Sequence, residues 1–144
     1  MKLQQLSLFL ENKTGTLYSP VRALAAAGVN LLSVSLADTS QFGILRLIVS
    51  EPERAREVLE GAGMVVRVTE VVPIEVDDGP GGLASALSAI EDAALAVEYM
   101  YLCGGGRRPG TVAIIFRFED PDAALSALDS AGVRVLSREE LSPA

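Results

Sequence analysis

The stretch Leu8-Phe9-Leu10-Glu11-Asn12-Lys13-Thr14-Gly15-Thr16-Leu17 indicates the end of a strand, a short polar loop and the start of a helix. The same succession returns at Ile74-Glu75-Val76-Asp77-Asp78-Gly79-Pro80-Gly81-Gly82-Leu83. A loop that leads into a helix directs unpaired backbone N–H groups outward, where they suit a carboxylate or another anion. The acidic and amide side chains beside each loop suit an ammonium group. Together these features predict a site for a free amino acid.

The two loops belong to an internal repeat of one βαββαβ unit. Three apolar helix positions recur at a constant offset of 66 residues: Leu17, Val21 and Leu24 against Leu83, Leu87 and Ile90. A second set recurs at an offset of 69 residues: Pro52, Ala55, Ala62 and Gly63 against Pro121, Ala124, Ala131 and Gly132. The repeat predicts an α+β chain of two ferredoxin-like units at residues 1–70 and 71–144, each an antiparallel sheet with its helices on one face.

Three local features carry separate expectations. The strand-like run at residues 64–76 is unusually long, and Pro73 is expected to divide it into two strands. Residues 133–136 are expected to form the closing strand, followed by a frayed tail. The glycine-rich segment 104–110, with Arg107 and Arg108, predicts a long hairpin tip, with an anion site as the alternative.

Composition excludes several classes of partner. Residues 1–70 hold seven basic and seven acidic side chains, whereas residues 71–144 hold five basic and twelve acidic ones. An excess of acidic side chains disfavours the binding of nucleic acid, because such binding depends on basic side chains that neutralise phosphates. No apolar run approaches the roughly 18 residues of a membrane span, and the first residues lack the apolar core of a signal peptide. We therefore expect a cytoplasmic protein that binds neither nucleic acid nor membrane.

The residue inventory also limits the chemistry. The chain has no histidine and a single cysteine, Cys103, which excludes an internal disulfide, histidine-dependent triads and the usual zinc sites. Asp77 and Asp78 with Glu75 leave a hard-cation site as an alternative, although they lack the ligand spacing of a calcium loop. We expect no metal, no cofactor and no catalytic residue.

The residues Asn12-x-x-Gly15-x-Leu17, followed by a helix and then by Gly28-Val29-Asn30-Leu31, resemble the ACT domain. That family is a small regulatory module that binds amino acids, and the whole chain resembles two ACT domains in tandem. In ligand-binding members the amino acid lies where the first loop of one domain meets the second strand of its neighbour. The resemblance therefore implies sites that are shared between domains.

Carried over, the resemblance assigns three groups of ligand-binding residues. The first half-site consists of Asn12, Gly15, Thr16 and Leu17. The strand residues that complete a site of the adjoining domain are Asn30, Leu31 and Leu32. The second loop supplies Asp77, Asp78, Gly79, Gly81, Gly82 and Leu83. The second copy departs from the pattern, because Asp78 replaces the asparagine and Ala96 stands where the first copy has Asn30. If the copies pair within the chain, the 77–83 loop with Asn30 is expected to form the stronger site.

These expectations favour a non-catalytic, allosteric regulatory or sensor protein that binds a free amino acid with micromolar affinity and forms a homodimer. One alternative is a regulatory subunit of an amino-acid biosynthetic enzyme, which would be its partner. Another is a structural oligomer-forming protein whose sites bind no ligand. An enzyme on the same scaffold is the third, although no pair of carboxylates or arginines is spaced in a way that identifies it.

Overall fold

A computed structural model of the chain describes residues 1–11, 13–38 and 41–141. The chain divides into two units. The first unit is Gln4–Thr69, and the second comprises Met1–Leu3 together with the chain from Glu70 onward. Asn12, which the sequence places in the first half-site, lies outside the described residues.

The first unit follows the predicted order of strand, helix, two strands, helix and strand. Its elements are β1 (Leu3–Glu11), α1 (Tyr18–Ala26), β2 (Leu31–Asp38), β3 (Phe42–Val49), α2 (Pro52–Gly61) and β4 (Val66–Asp77), of which residues 66–69 belong to this unit. The strand order is β2-β3-β1-β4. β3 pairs antiparallel with both neighbours, so that Leu45 lies opposite Leu8 on one side and opposite Leu36 on the other.

The core of the first unit lies between one face of this sheet and the two helices. Leu24 of α1 and Leu59 of α2 are fully buried against the strand residues Leu8, Leu45 and Leu47. Alternation along each strand brings these leucines to the same face. β2 lies at the edge of the sheet, and there Val34 and Leu36 stay 54% and 53% exposed.

The second unit repeats this arrangement. Its further elements are α3 (Gly82–Asp92), β5 (Val97–Gly105), β6 (Thr111–Phe118), α4 (Pro121–Ser130) and α5 (Arg138–Leu141). The strand order is β4-β6-β5, and Ile90 and Leu128 of the two longer helices pack on Ile74, Phe116 and neighbouring residues. The strands β3 and β6 correspond end to end at the 69-residue offset, as do the helices α2 and α4. The predicted pair of ferredoxin-like units is confirmed.

The prediction that Pro73 divides a strand is wrong, because β4 runs unbroken through it with Pro73 opposite Ile115 of β6. The carbonyl of Pro73 accepts from the N–H of Leu136, and Glu75 N–H donates to the carbonyl of Arg134. Successive residues of a strand direct their backbone groups to alternate sides, so the missing N–H of Pro73 faces away from β6. The proline therefore removes no bond from the β4–β6 ladder.

The same proline limits the closing strand that was expected at residues 133–136. Only an isolated bridge forms there among the described residues, between Ile74 and Val135. On the Leu136 side of this bridge, a longer ladder would require Pro73 to donate an N–H to the carbonyl of Leu136, and proline has none to donate.

The expected frayed tail is also corrected, up to residue 141. Leu136 is fully buried, and residues 138–141 form the short helix α5. Ser137 N–H donates to the carboxylate of Glu140 over 3.1 Å, while Glu140 N–H donates to the Ser137 hydroxyl over 3.3 Å. This reciprocal capping box satisfies two backbone donors and fixes the start of the turn.

Candidate functional site

The loop after β1 is shaped by Thr16. Its hydroxyl donates to the carbonyl oxygens of Glu11 and Lys13, over 2.7 and 2.9 Å. Gly15 has a φ of +93°, a backbone conformation that residues with a Cβ rarely adopt. Leu17 is the N-cap of α1, and its side chain makes no capping hydrogen bond. The N-cap residue of α1 therefore supplies no side-chain acceptor to the first N–H groups of the helix.

A cleft of about 390 Å³, the first cleft, opens beside this loop. Leu10, Leu17 and Leu36 supply apolar walls, while Glu11 and Asp38 supply carboxylates. Its volume falls within the roughly 300–1,000 Å³ that is typical of small-molecule sites. The predicted residues Gly15, Thr16 and Leu17 all line it.

The predicted strand residues do not line the first cleft. Asn30 lies at the opposite end of β2 from Asp38, where its N–H donates to the Ser50 hydroxyl oxygen over 3.1 Å and its carbonyl accepts from Ser50 N–H over 3.0 Å. Leu31 packs against the core of the first unit, and Leu32 is half-buried. The assignment of these three residues to a site in an adjoining domain stays a prediction.

In the loop after β4, backbone atoms of neighbouring residues lie in close contact. A Cβ on Gly82 would lie 1.9 Å from the carbonyl oxygen of Asp77, so that only glycine fits there. Asp78 N–H donates to the carbonyl of Gly110 over 2.9 Å, and Gly81, with a φ of +87°, is the N-cap of α3. The glycine spacing that the sequence shows therefore has a steric cause in this loop.

A cleft of about 330 Å³, the second cleft, lies between this loop, α3 and the segment that follows α4. Asp77 and Gly82 line it. The other predicted residues lie near it without lining it: Asp78, Gly79 and Gly81 are exposed, and Leu83 packs against the core of the second unit. Its remaining charged lining is an ionic cluster of Glu75, Arg108 and Arg134.

Glu75 is the centre of this cluster, and its side chain has no exposed surface. Oε2 accepts the backbone N–H groups of Arg107 and Arg108 over 2.6 and 3.2 Å. Oε1 accepts Nε of Arg108 and lies 3.5 Å from Nε of Arg134. Burial alone would raise the pKa of Glu75, but the hydrogen bonds from Arg108 and Arg107 outweigh it and the pKa is lowered.

The 104–110 segment is therefore an anion site whose anion is a side chain of the same unit. The sequence signals were the two adjacent arginines among glycines and a single acid, Glu75, within the apolar run of β4. Neither signal indicates on its own that the two meet. Gly106 allows the close approach, because a Cβ there would lie 2.2 Å from Thr111 Oγ1 and 3.0 Å from Glu75 Oε2.

The two copies differ most at this cluster. Phe9 occupies the position of Glu75 at the 66-residue offset, and Val65 that of Arg134 at the 69-residue offset. Phe9 is 59% exposed with the guanidinium of Arg67 at 5.9 Å from its ring centre, and Val65 is 87% exposed. The first copy has apolar side chains where the second has a buried ion cluster, so the two clefts are chemically distinct.

Neither a metal-binding cluster nor a membrane-spanning helix occurs in the part of the chain that the structure describes. No three His, Cys, Asp or Glu side chains gather in an arrangement that would hold a metal ion. Among the described helices, none is long and apolar enough to cross a membrane.

Two ferredoxin-like units, each with a loop that leads into a helix beside a cleft, define a tandem α+β module. The family model of the ACT domain pair matches residues 1–142, and the chain belongs to this family. No protein of curated function matches the chain.

Solved structures agree with this assignment. A protein from Bacteroides thetaiotaomicron is 33% identical, with a TM-score of 0.90, over 98% of this chain and 96% of that one. The ligand-free regulatory subunit of aspartate kinase from Thermus thermophilus is 18% identical, with a TM-score of 0.62, over 89% of this chain and 91% of that one. The corresponding subunit from Thermus flavus is also 18% identical, with a TM-score of 0.58, over 91% and 92%. The two aspartate kinase subunits share the fold of this chain.

Proposed function

We propose that this chain is a non-catalytic, cytoplasmic regulatory protein that binds a free amino acid. The observation that carries the proposal is the first cleft, which has a volume of about 390 Å³. It brings together carboxylates, leucine side chains and the start of α1, whose N-cap residue makes no side-chain hydrogen bond. A free amino acid needs a partner for its ammonium group, one for its carboxylate and a surface for its side chain. The first cleft offers all three.

In the proposed complex the carboxylate of the ligand accepts N–H groups at the start of α1, an arrangement that the helix dipole favours by about 0.3–1 kcal/mol. The ammonium group donates to Glu11 and Asp38, and each charge-assisted hydrogen bond contributes about 1.5–3 kcal/mol. Leu10, Leu17 and Leu36 favour an apolar ligand side chain. With the cost of immobilising the ligand, these contacts are compatible with micromolar affinity, about −8 kcal/mol.

The comparisons support a regulatory role. The ACT domain pair covers residues 1–142, and the similar structures from Thermus are regulatory subunits of aspartate kinase. We propose that the chain acts as a homodimer and regulates a partner enzyme of this kind. We propose that Asn30, Leu31 and Leu32 complete a site that belongs to an adjoining domain of the homodimer. The 77–83 loop is proposed as the second ligand-binding element.

Regulation requires a difference in affinity between two states. A ligand shifts a conformational or assembly equilibrium only as far as it binds one state more tightly than the other. We propose that the partner enzyme, or the homodimer itself, is the element that responds. Capture of partners by the tagged chain with and without the ligand tests this step, and an identical set of partners in both samples argues against it.

The primary experiment measures the melting temperature of the chain in the presence of each of the twenty amino acids. A ligand that binds only the folded state must raise the melting temperature. At a ligand concentration of a hundred times the dissociation constant, it adds about 2.7 kcal/mol to the free energy of unfolding. We expect an apolar amino acid to do so. If none of the twenty changes the melting temperature, an oligomer-forming protein without a ligand becomes the better description.

A further inference from the structure

We propose that the second cleft selects an acidic amino acid, of the aspartate or glutamate class, whose side-chain carboxylate pairs with Arg108. This inference rests on the proposed function, because it specifies which amino acid one of the two clefts accepts. It is carried by the arrangement of the guanidinium groups in the second cleft.

The backbone N–H and Nε of Arg108 are hydrogen-bonded, whereas the terminal nitrogens of its guanidinium group are available to a ligand. Its Nε donates to Glu75, and its backbone N–H donates to the same carboxylate. Within residues 1–11, 13–38 and 41–141, its two terminal nitrogens make no hydrogen bond, and the side chain is 57% exposed. A guanidinium group carries five N–H donors, so four remain for a ligand. The contact with Glu75 orients the guanidinium group in advance, which lowers the cost of binding.

The neighbouring arginine is already engaged. Arg134 Nη2 donates to Glu140, and its Nε lies 3.5 Å from Glu75. Arg108 is therefore the cation of the second cleft with the most donors to offer. A planar guanidinium matches the two oxygens of a carboxylate, and such charge-assisted bonds are stronger than neutral ones.

Asp77 narrows the class of anion. Its carboxylate lines the same cleft and repels a ligand that carries only negative charge. A ligand with both a carboxylate and an ammonium group satisfies Arg108 and Asp77 together. Free phosphate and simple dicarboxylates do not, which leaves amino acids as the favoured class. With the α-carboxylate of the ligand at the start of α3, where the N-cap Gly81 supplies no side-chain cap, the carboxylate that pairs with Arg108 belongs to an acidic side chain.

The first cleft lacks this recognition element. Phe9 and Val65 stand where the second copy has Glu75 and Arg134. Lys13, the one cation among the described residues that line the first cleft, pairs with Glu11 at 3.0 Å. The two clefts are therefore expected to bind different amino acids, an apolar one and an acidic one.

Calorimetric titration of the full chain with aspartate, glutamate, asparagine and glutamine tests the inference. We expect the acids to bind at least tenfold more tightly than their amides, which have the same shape without the charge. In Arg108→Gln this acid-to-amide ratio falls to about one, whereas Arg108→Lys keeps a preference for the acids. The matched control is Arg117→Gln, in which the lost arginine pairs with Glu98 at 2.9 Å outside the second cleft, and the ratio stays unchanged.

The ratio distinguishes recognition from a purely structural role of Arg108, because weaker folding lowers the affinity for acid and amide alike. Equal binding of acids and amides, or an unchanged ratio in Arg108→Gln, overturns the inference. If an apolar amino acid binds but neither acid does, the inference fails while the proposed function stands. If none of the twenty amino acids binds, both fail.

Discussion

The backbone N–H of Arg107 donates a 2.6 Å hydrogen bond to the carboxylate of Glu75, 32 residues earlier in the chain. This bond and those from Arg108 attach the hairpin between β5 and β6 to the fully buried end of an acidic side chain. A charged group at such a position is stabilising only while it keeps its charge and its donors. The stability of the second unit is thereby linked to the protonation of one residue.

The first prediction concerns pH. The folded pKa of Glu75 lies below its ordinary value of 4.5, so its contribution is complete above that pH and is lost as the pH falls through the folded pKa. Replacing Glu75 with Gln removes charge-assisted hydrogen bonds and is expected to lower the free energy of unfolding by about 1.5–3 kcal/mol at pH 7. Below pH 4.5 the stability of Glu75→Gln should fall less steeply than that of the wild type. Urea unfolding between pH 7 and pH 3 measures both effects.

The control for this prediction is Glu57→Gln, at an exposed position of α2. Its stability should follow the wild-type curve over the whole range of pH. Parallel curves for the wild type and Glu75→Gln would remove Glu75 as the source of the acid sensitivity.

The second prediction concerns the two adjacent glycines of the hairpin. A Cβ at Gly106 meets Thr111 Oγ1 at 2.2 Å, whereas a Cβ at Gly105 meets nothing within 4 Å. Gly106→Ala is expected to displace Thr111 or Glu75 and to lower the free energy of unfolding by about 1–3 kcal/mol, the usual cost of overpacking. Gly105→Ala is expected to change it by less than about 0.5 kcal/mol. Thermal unfolding of the two variants checks this, and equal losses would contradict the steric explanation.

The third prediction concerns the ends of α1 and α3. Gly28 follows α1 with a φ of +73°, and its counterpart after α3 is Ala94, with a φ of +55°. Ala94 is exposed, and a left-handed conformation costs a residue with a Cβ about 1–2 kcal/mol relative to glycine. Ala94→Gly is therefore expected to raise the free energy of unfolding by about 1 kcal/mol. Gly28→Ala should lower it by a similar amount, and chemical denaturation of both variants measures the pair.

A loss of stability in Ala94→Gly would mean that the added freedom of the unfolded chain outweighs the relief of backbone strain. In that case Gly28→Ala should raise the free energy of unfolding, because it exchanges the same two residue types in the opposite direction at the equivalent position.

The sequence predicts the parts of the fold that depend on local patterns. The spacing of Leu17, Val21 and Leu24 predicts a helix because residues three and four apart share a helix face, and the constant offsets predict a second copy. The turn chemistry around Gly15 and Gly81 also predicts where two helices begin, since both glycines adopt a positive φ. These features need no knowledge of what lies elsewhere in the chain.

The missed features depend on partners far away in sequence. Whether Pro73 breaks β4 depends on which side its nitrogen faces, and that depends on pairing with residues 134–136. The burial of Glu75 depends on a hairpin 32 residues later that supplies its donors. The proposed role of Asn30 stays a prediction, because it requires residues of an adjoining domain.

The central proposal is that the first cleft binds a free amino acid, and calorimetric titration of three proteins with an apolar amino acid tests it most directly. Leu17 lines the first cleft and Leu17→Arg should obstruct it, while Val65→Arg places the same side chain at an 87% exposed position of the same unit. We predict a dissociation constant in the micromolar range for the wild type and for Val65→Arg, and no measurable heat of binding for Leu17→Arg. Equal binding by Leu17→Arg, or no binding of any apolar amino acid by the wild type, would contradict it.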